Sequence, residues 1–156
     1  MDRPTPADPW VAQSYLPGEE ISAYAAARAG RLLALQSYRP TYRVGHGAAV
    51  AFEAVDAPAV QRFVSGLVAR LNWTGQISFD FRRDETGELH VIECNPRVWG
   101  SLMYSVWAGV NFIALGCRVA RGERLTISVP PSEHVWHQGV APRRLFKALL
   151  HGRSAP

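Results

Sequence analysis

Glu93, Asn95 and Arg97 alternate at the end of an apolar run, "LHVIECNPR". In an extended chain alternate side chains share a face. Pro96 favours an extended Asn95. A carboxylate and an amide therefore project together, with a guanidinium close behind. Upstream, "QISFDFRR" alternates Ile77, Phe79 and Phe81 with Ser78, Asp80 and Arg82. That is a strand with one polar face. The turn "DETG" joins the two strands into an antiparallel hairpin. A four-residue loop sets Arg83 across from Glu88, Asp80 from Val91 and Ser78 from Glu93. Asp80 and Glu93 are then diagonal neighbours on one face. A three- or five-residue loop puts them on opposite faces unless a bulge intervenes.

Two carboxylates this close repel, by a few tenths up to about 1 kcal/mol across a sheet. A cation would offset that. Asp80, Glu93 and Asn95 offer hard oxygen ligands with room left for phosphates and water, which suits Mg²⁺. Arg97 adds a donor fork suited to phosphate. Gly100-Ser101 opens a helix whose free N–H groups favour anions. The competing reading is a solvated hairpin face, with Asp80 paired to Arg82 or Arg97.

Other elements must hold this hairpin. "EEISAYAAA" and "RLLALQSYR", broken at Gly30, read as a second hairpin ended by Pro40, although the alanines of the first would also suit a helix. "VGHGAA" reads as a loop, with His46 facing solvent. The clearest helix is 57–72, where Val60, Phe63, Val64, Leu67, Val68 and Leu71 form one apolar stripe. Asp56 is its expected N-cap. Two more helical stretches, 101–108 and 111–121, flank Gly109. "LTISV" reads as a short strand and 141–150 as a basic amphipathic helix. Strand alternation turns Cys94 away from the acids, as a core thiol. Trp99, Tyr104 and Trp107 are expected to pack. His134-x-x-His137 lacks the further ligands of a metal site. The order predicts an α+β fold: an antiparallel sheet backed by helices.

The chain has 156 residues, one domain's worth, and a net charge of +4. Its basic residues are scattered, so nucleic-acid binding is weakly supported. No apolar run reaches membrane-span length and no signal peptide is evident. Two cysteines, Cys94 and Cys117, fit a reducing, cytoplasmic setting. There are sixteen arginines and a single lysine, Lys147. Chemistry that needs a lysine before that position cannot come from this chain.

The stretch from Thr74 to Phe112 resembles the C-terminal signature of the ATP-grasp enzymes. These include biotin carboxylase, carbamoyl phosphate synthetase and the carboxylate–amine ligases. The matching pattern is Asp80-Phe81, Gly87, then Glu93, Asn95 and Arg97. The resemblance implies that Asp80, Glu93 and Asn95 bind Mg²⁺, or Mn²⁺, bridging the phosphates of ATP. Arg97 would contact phosphate or stabilise an acyl phosphate. "AQSYLPGEE" resembles the hinge that holds adenine. Gln13 would face the adenine amino group, Ser14, Tyr15 and Leu16 would offer backbone groups, and Glu20 would contact ribose.

The resemblance covers residues 10–122, after a lead-in of 1–9 and before a basic extension of 123–156. It implies the C-terminal half of an ATP-grasp fold, without the N-terminal portion and the lysine-bearing lid. Phosphoryl transfer clamps phosphate charge from both sides, so this chain is expected to be inactive alone. The implied function is the Mg-ATP-binding part of a ligase that activates a carboxylate substrate for attack by an amine or other nucleophile. A non-catalytic nucleotide-binding or interaction module is the alternative. The surface that meets the missing half is expected to seek that portion or a second copy.

Overall fold

The computed structural model describes residues 5–7, 9–43, 49–123, 125 and 136–137. Its centre is β1 (Glu19–Arg28), paired antiparallel with β2 (Arg31–Arg43) on one side. On the other side lies β4 (Gly75–Arg83). β3 (Ala49–Ala54) and the two-residue β6 (Trp136–His137) extend the sheet beyond β2, and β5 (Leu89–Asn95) forms the opposite edge. The order is β5-β4-β1-β2-β3-β6, antiparallel throughout. This is the predicted α+β architecture.

β1 explains why the Ala-rich segment is a strand. Ile21, Ala23, Ala25 and Ala27 are buried on one face with Val60, Val64 and Val68 of α1 (Pro58–Arg70). Tyr24 and Ala26 are buried on the other, among residues of α2 (Leu102–Trp107) and α3 (Phe112–Ala120). Small residues on the α1 face let the helix lie close, while β1 is covered on both sides. The valine ridge is the centre of the predicted stripe. Phe63 and Leu71 sit at its exposed rim, because six positions spread too widely around the helix for all to face the sheet.

Several expectations need correction. Ala57, not Asp56, is the N-cap of α1, and no side chain caps it. Pro58, in the first turn, has no N–H to be capped. β2 runs through Pro40; the register shifts between Pro40 and Tyr42 absorb the missing donor. Cys94 is exposed, because β5 is an edge strand that α1 does not cover. Trp107 is 64% exposed, whereas Trp99 and Tyr104 are buried as expected. His46, "LTISV" beyond Leu125, His134 and the 141–150 segment lie outside the described residues.

Gly18 starts β1 where only glycine fits. Its φ is +132°, and a Cβ there would lie 2.2 Å from the carbonyl oxygen of Arg83. Beyond residue 122, Leu125 is buried in the core and β6 pairs with β3. Among the described residues no helix is long and apolar enough to cross a membrane.

Candidate metal and nucleotide site

The β4–β5 hairpin has a five-residue loop, with Arg83 opposite Leu89 and Phe81 opposite Val91. That register alone would put Asp80 across from Ile92 and turn Glu93 to the other face. A bulge restores the phase: the pairing shifts between Phe81 and Asp80, so Asp80 stands directly across from Glu93 and Ser78 from Asn95. The carboxylates are thus closer partners than the diagonal expected from a four-residue loop. The loop is stapled by Asp84, whose Oδ1 accepts from the Thr86 and Glu88 N–H groups at 2.9 Å each. His90 Nε2 lies 2.7 Å from Asp84 Oδ2 and, with Thr86, holds that carboxyl well below the usual range.

Cross-strand pairing continues the row into the sheet. Ser22 of β1 faces Asp80 on one side and Tyr38 of β2 on the other. A cleft of about 330 Å³ opens on this face. Glu20, Asp80, Glu93, Asn95 and Arg97 line its polar side, joined by Arg43. Tyr24, Tyr38, Phe52 and Trp99 form its inner wall. Arg43 is the residue that sequence reasoning missed; it comes from the far end of β2, and only the observed strand pairing brings it to the acids.

Asp80 does not pair with Arg82 or Arg97, as the solvated-face reading required. Arg82 reaches Glu20 at 3.7 Å and donates to the Gly18 carbonyl at 3.0 Å. Arg97 donates to the Val98 carbonyl at 3.2 Å and makes no ion pair among the described residues. Asp80 accepts from Ser22 Oγ at 2.7 Å. Burial pushes the Asp80 carboxyl above its ordinary value, reinforced by Glu93 and Glu20, while Ser22 and Arg43 pull it down. A partly buried acid facing a second acid is a site whose charge calls for a cation. Two carboxylates and an amide oxygen form an oxygen donor set of the kind Mg²⁺ takes.

The other expected contacts divide. Glu20 lines the cleft and is ion-paired to Arg43. Gln13, Ser14, Tyr15 and Leu16 do not line it; they belong to an irregular, largely exposed segment in which Tyr15 is 83% exposed. α2 is short, and the N–H of Tyr104 already donates to the Ser101 carbonyl at 2.9 Å.

The family described as "ATP-grasp in the biosynthetic pathway with Ter operon" matches residues 6–140 by its sequence profile. The chain belongs to the ATP-grasp family. Solved ATP-grasp structures show the same fold. An L-amino acid ligase from Bacillus licheniformis is 21% identical with a TM-score of 0.56, over 75% of this chain and 34% of that one. An N5-carboxyaminoimidazole synthetase from Staphylococcus aureus complexed with ADP is 19% identical with a TM-score of 0.58, over 75% and 34%. The biotin carboxylase domain of a Hydrogenobacter thermophilus 2-oxoglutarate carboxylase, in complex with MgADP, ADP and bicarbonate, is 21% identical with a TM-score of 0.54, over 73% and 27%. The match thus spans 27–34% of the length of these solved chains. None of the curated proteins matches the sequence.

Proposed function

We propose that this chain is the Mg-ATP-binding part of an ATP-grasp ligase that activates a carboxylate as an acyl phosphate. The observation that carries the reading is Asp80 directly across from Glu93, with Asn95 and Arg97 on the same cleft. Asp80, Glu93 and Asn95 would hold Mg²⁺, with Mn²⁺ as a substitute. When bound, the cation neutralises phosphate charge and orients the nucleotide. Arg97 would donate to the transferring phosphoryl group. A substrate carboxylate oxygen attacks the γ-phosphorus and ADP leaves; an amine or other nucleophile then attacks the acyl carbon and releases phosphate. Gln13, Ser14, Tyr15 and Leu16 could hold adenine only if their segment folds over the cleft when nucleotide binds.

On this reading the lysine-bearing lid of the clamp would be supplied by a further portion, since residues 1–146 hold no lysine. Exposed Val98, Met103 and Trp107 would offer apolar surface to that portion or to a second copy. The non-catalytic reading, a nucleotide-binding or interaction module, keeps the fold without turnover, and as an interaction module it would not need the cation site. Arg97→Ala should weaken Mg-ATP binding about tenfold, the scale of one charge-assisted hydrogen bond, and leave Mn²⁺ binding without nucleotide unchanged. Parallel titrations check this; equal loss in both would make Arg97 a fold residue instead.

A further inference from the structure

Arginines scattered along the sequence are gathered by the fold. Arg28 ends β1 and faces Arg31, which opens β2. Like charges directly opposed on a sheet repel. The turn between them is fixed: the Ala29 N–H donates to Thr74 Oγ1 at 2.8 Å and the Gly30 N–H to the Trp73 carbonyl at 3.0 Å. A Cβ on Gly30 would lie 3.3 Å from the Cα of Ala69, so the turn rests on the end of α1, beside Arg70. From the other layer, the end of α3 brings Arg118 and Arg121.

Glu123 joins three of these. Its carboxylate accepts from Arg118 Nε at 2.7 Å and from Arg121 Nε at 3.0 Å, and its carbonyl accepts from Arg28 Nη1 at 3.0 Å. Among the described residues it is the only carboxylate paired with any of the five arginines. Five arginines against one acid leave four positive charges here, and all five except half-buried Arg28 are exposed. The opposite end of β1 is different. There Glu19 and Glu20 are paired with Arg39, Arg43, Arg82 and Arg83.

We propose that the arginine end binds the phosphate backbone of a nucleic acid, at a surface separate from the cation site. Magnitudes select that partner. An exposed guanidinium gains little from one separate carboxylate, because water and salt screen the pair. A duplex instead carries one phosphate charge per ~1.7 Å of its axis and releases condensed counterions where arginines replace them. The guanidinium fork also takes phosphate oxygens in pairs.

The test is fluorescence anisotropy of a short labelled DNA duplex titrated with the full chain over a range of salt concentrations. With four net charges, log K should fall against log salt with a slope of about −3 to −4. Arg31 and Arg70 are exposed and make no ion pair among the described residues, so Arg31→Gln and Arg70→Gln should fold normally. Each should weaken binding severalfold and flatten the slope by about 1. Arg83→Gln, at the acidic end, changes the net charge equally and should leave affinity and slope as they are. An equal loss in Arg83→Gln would make the attraction one of overall charge. Full binding by the Arg31→Gln, Arg70→Gln double variant would place the duplex elsewhere. Displacement by polyglutamate as effective as by unlabelled duplex at matched charge would make the partner an acidic polypeptide. Any of these, or no binding at low salt, overturns the proposal.

Discussion

Asp80→Asn should abolish cation-dependent nucleotide binding and leave the unliganded fold as stable as before, or more so by up to about 1 kcal/mol. The loss of binding should exceed the roughly 10–100-fold that removal of an outer-shell partner costs. Asp80 is partly buried, faces Glu93 directly and lies near Glu20, so its charge is a cost the fold bears without a cation. Asparagine keeps an oxygen for Ser22 and sheds that charge. The sign of the pH dependence follows. The folded carboxyl titrates above its unfolded value, so folding favours its protonated form. That contribution is full below the unfolded value and is lost as pH rises through the raised folded one. The advantage of Asp80→Asn over wild type should therefore open across that window as pH rises. Cation affinity of the wild type runs the other way and strengthens over the same window. Thermal melts across pH, with and without Mg²⁺, read both trends. A variant less stable than wild type at neutral pH would contradict the argument.

Phe79→Ala should cost about 3–5 kcal/mol, the usual range for emptying a buried aromatic site. Phe79 lies on β4 beside Asp80 and faces the opposite layer, buried at 1% exposure. Its ring centroid is 5.8 Å from Phe81 and 6.0 Å from Phe63 of α1. Val60, Val64 and Val68 belong to the same cluster, and the sheet behind it cannot collapse into the gap. Urea unfolding measures the loss. Phe63→Ala, at the exposed rim, should cost less than half as much. A loss below about 1 kcal/mol at Phe79 would mean that α1 is not seated on β4 as described.

The site was more legible than its geometry. Alternation in "QISFDFRR" and the spacing of Glu93, Asn95 and Arg97 suggested the acids within each strand, but their facing one another depends on the bulge. The loop length and the bulge at Ile92 were not readable. The loop length depends on Asp84 bonding Thr86 and Glu88, and the bulge on an unpaired Ile92, local choices that leave the hydrophobic pattern of β4 unchanged. Cys94 was misplaced for a related reason: alternation gives the face of a strand but not whether a helix covers it there. The extent of β2 past Pro40 was hidden because a register shift can accommodate proline. Bringing Arg43 to the acids needs three strands side by side, a long-range arrangement with no local signature. The Ala-rich β1 reads as strand by alternation and as helix by composition; burial on both faces of the sheet explains its small residues and decides for the strand.

The central claim is that Asp80 and Glu93 form a cation site that binds nucleotide. Calorimetric titration of the wild type and of Glu93→Gln with ATP, with and without Mg²⁺, tests it most directly. The account predicts weak wild-type binding that requires Mg²⁺ and disappears in Glu93→Gln. Equal binding by both proteins, or wild-type binding indifferent to Mg²⁺, would contradict it.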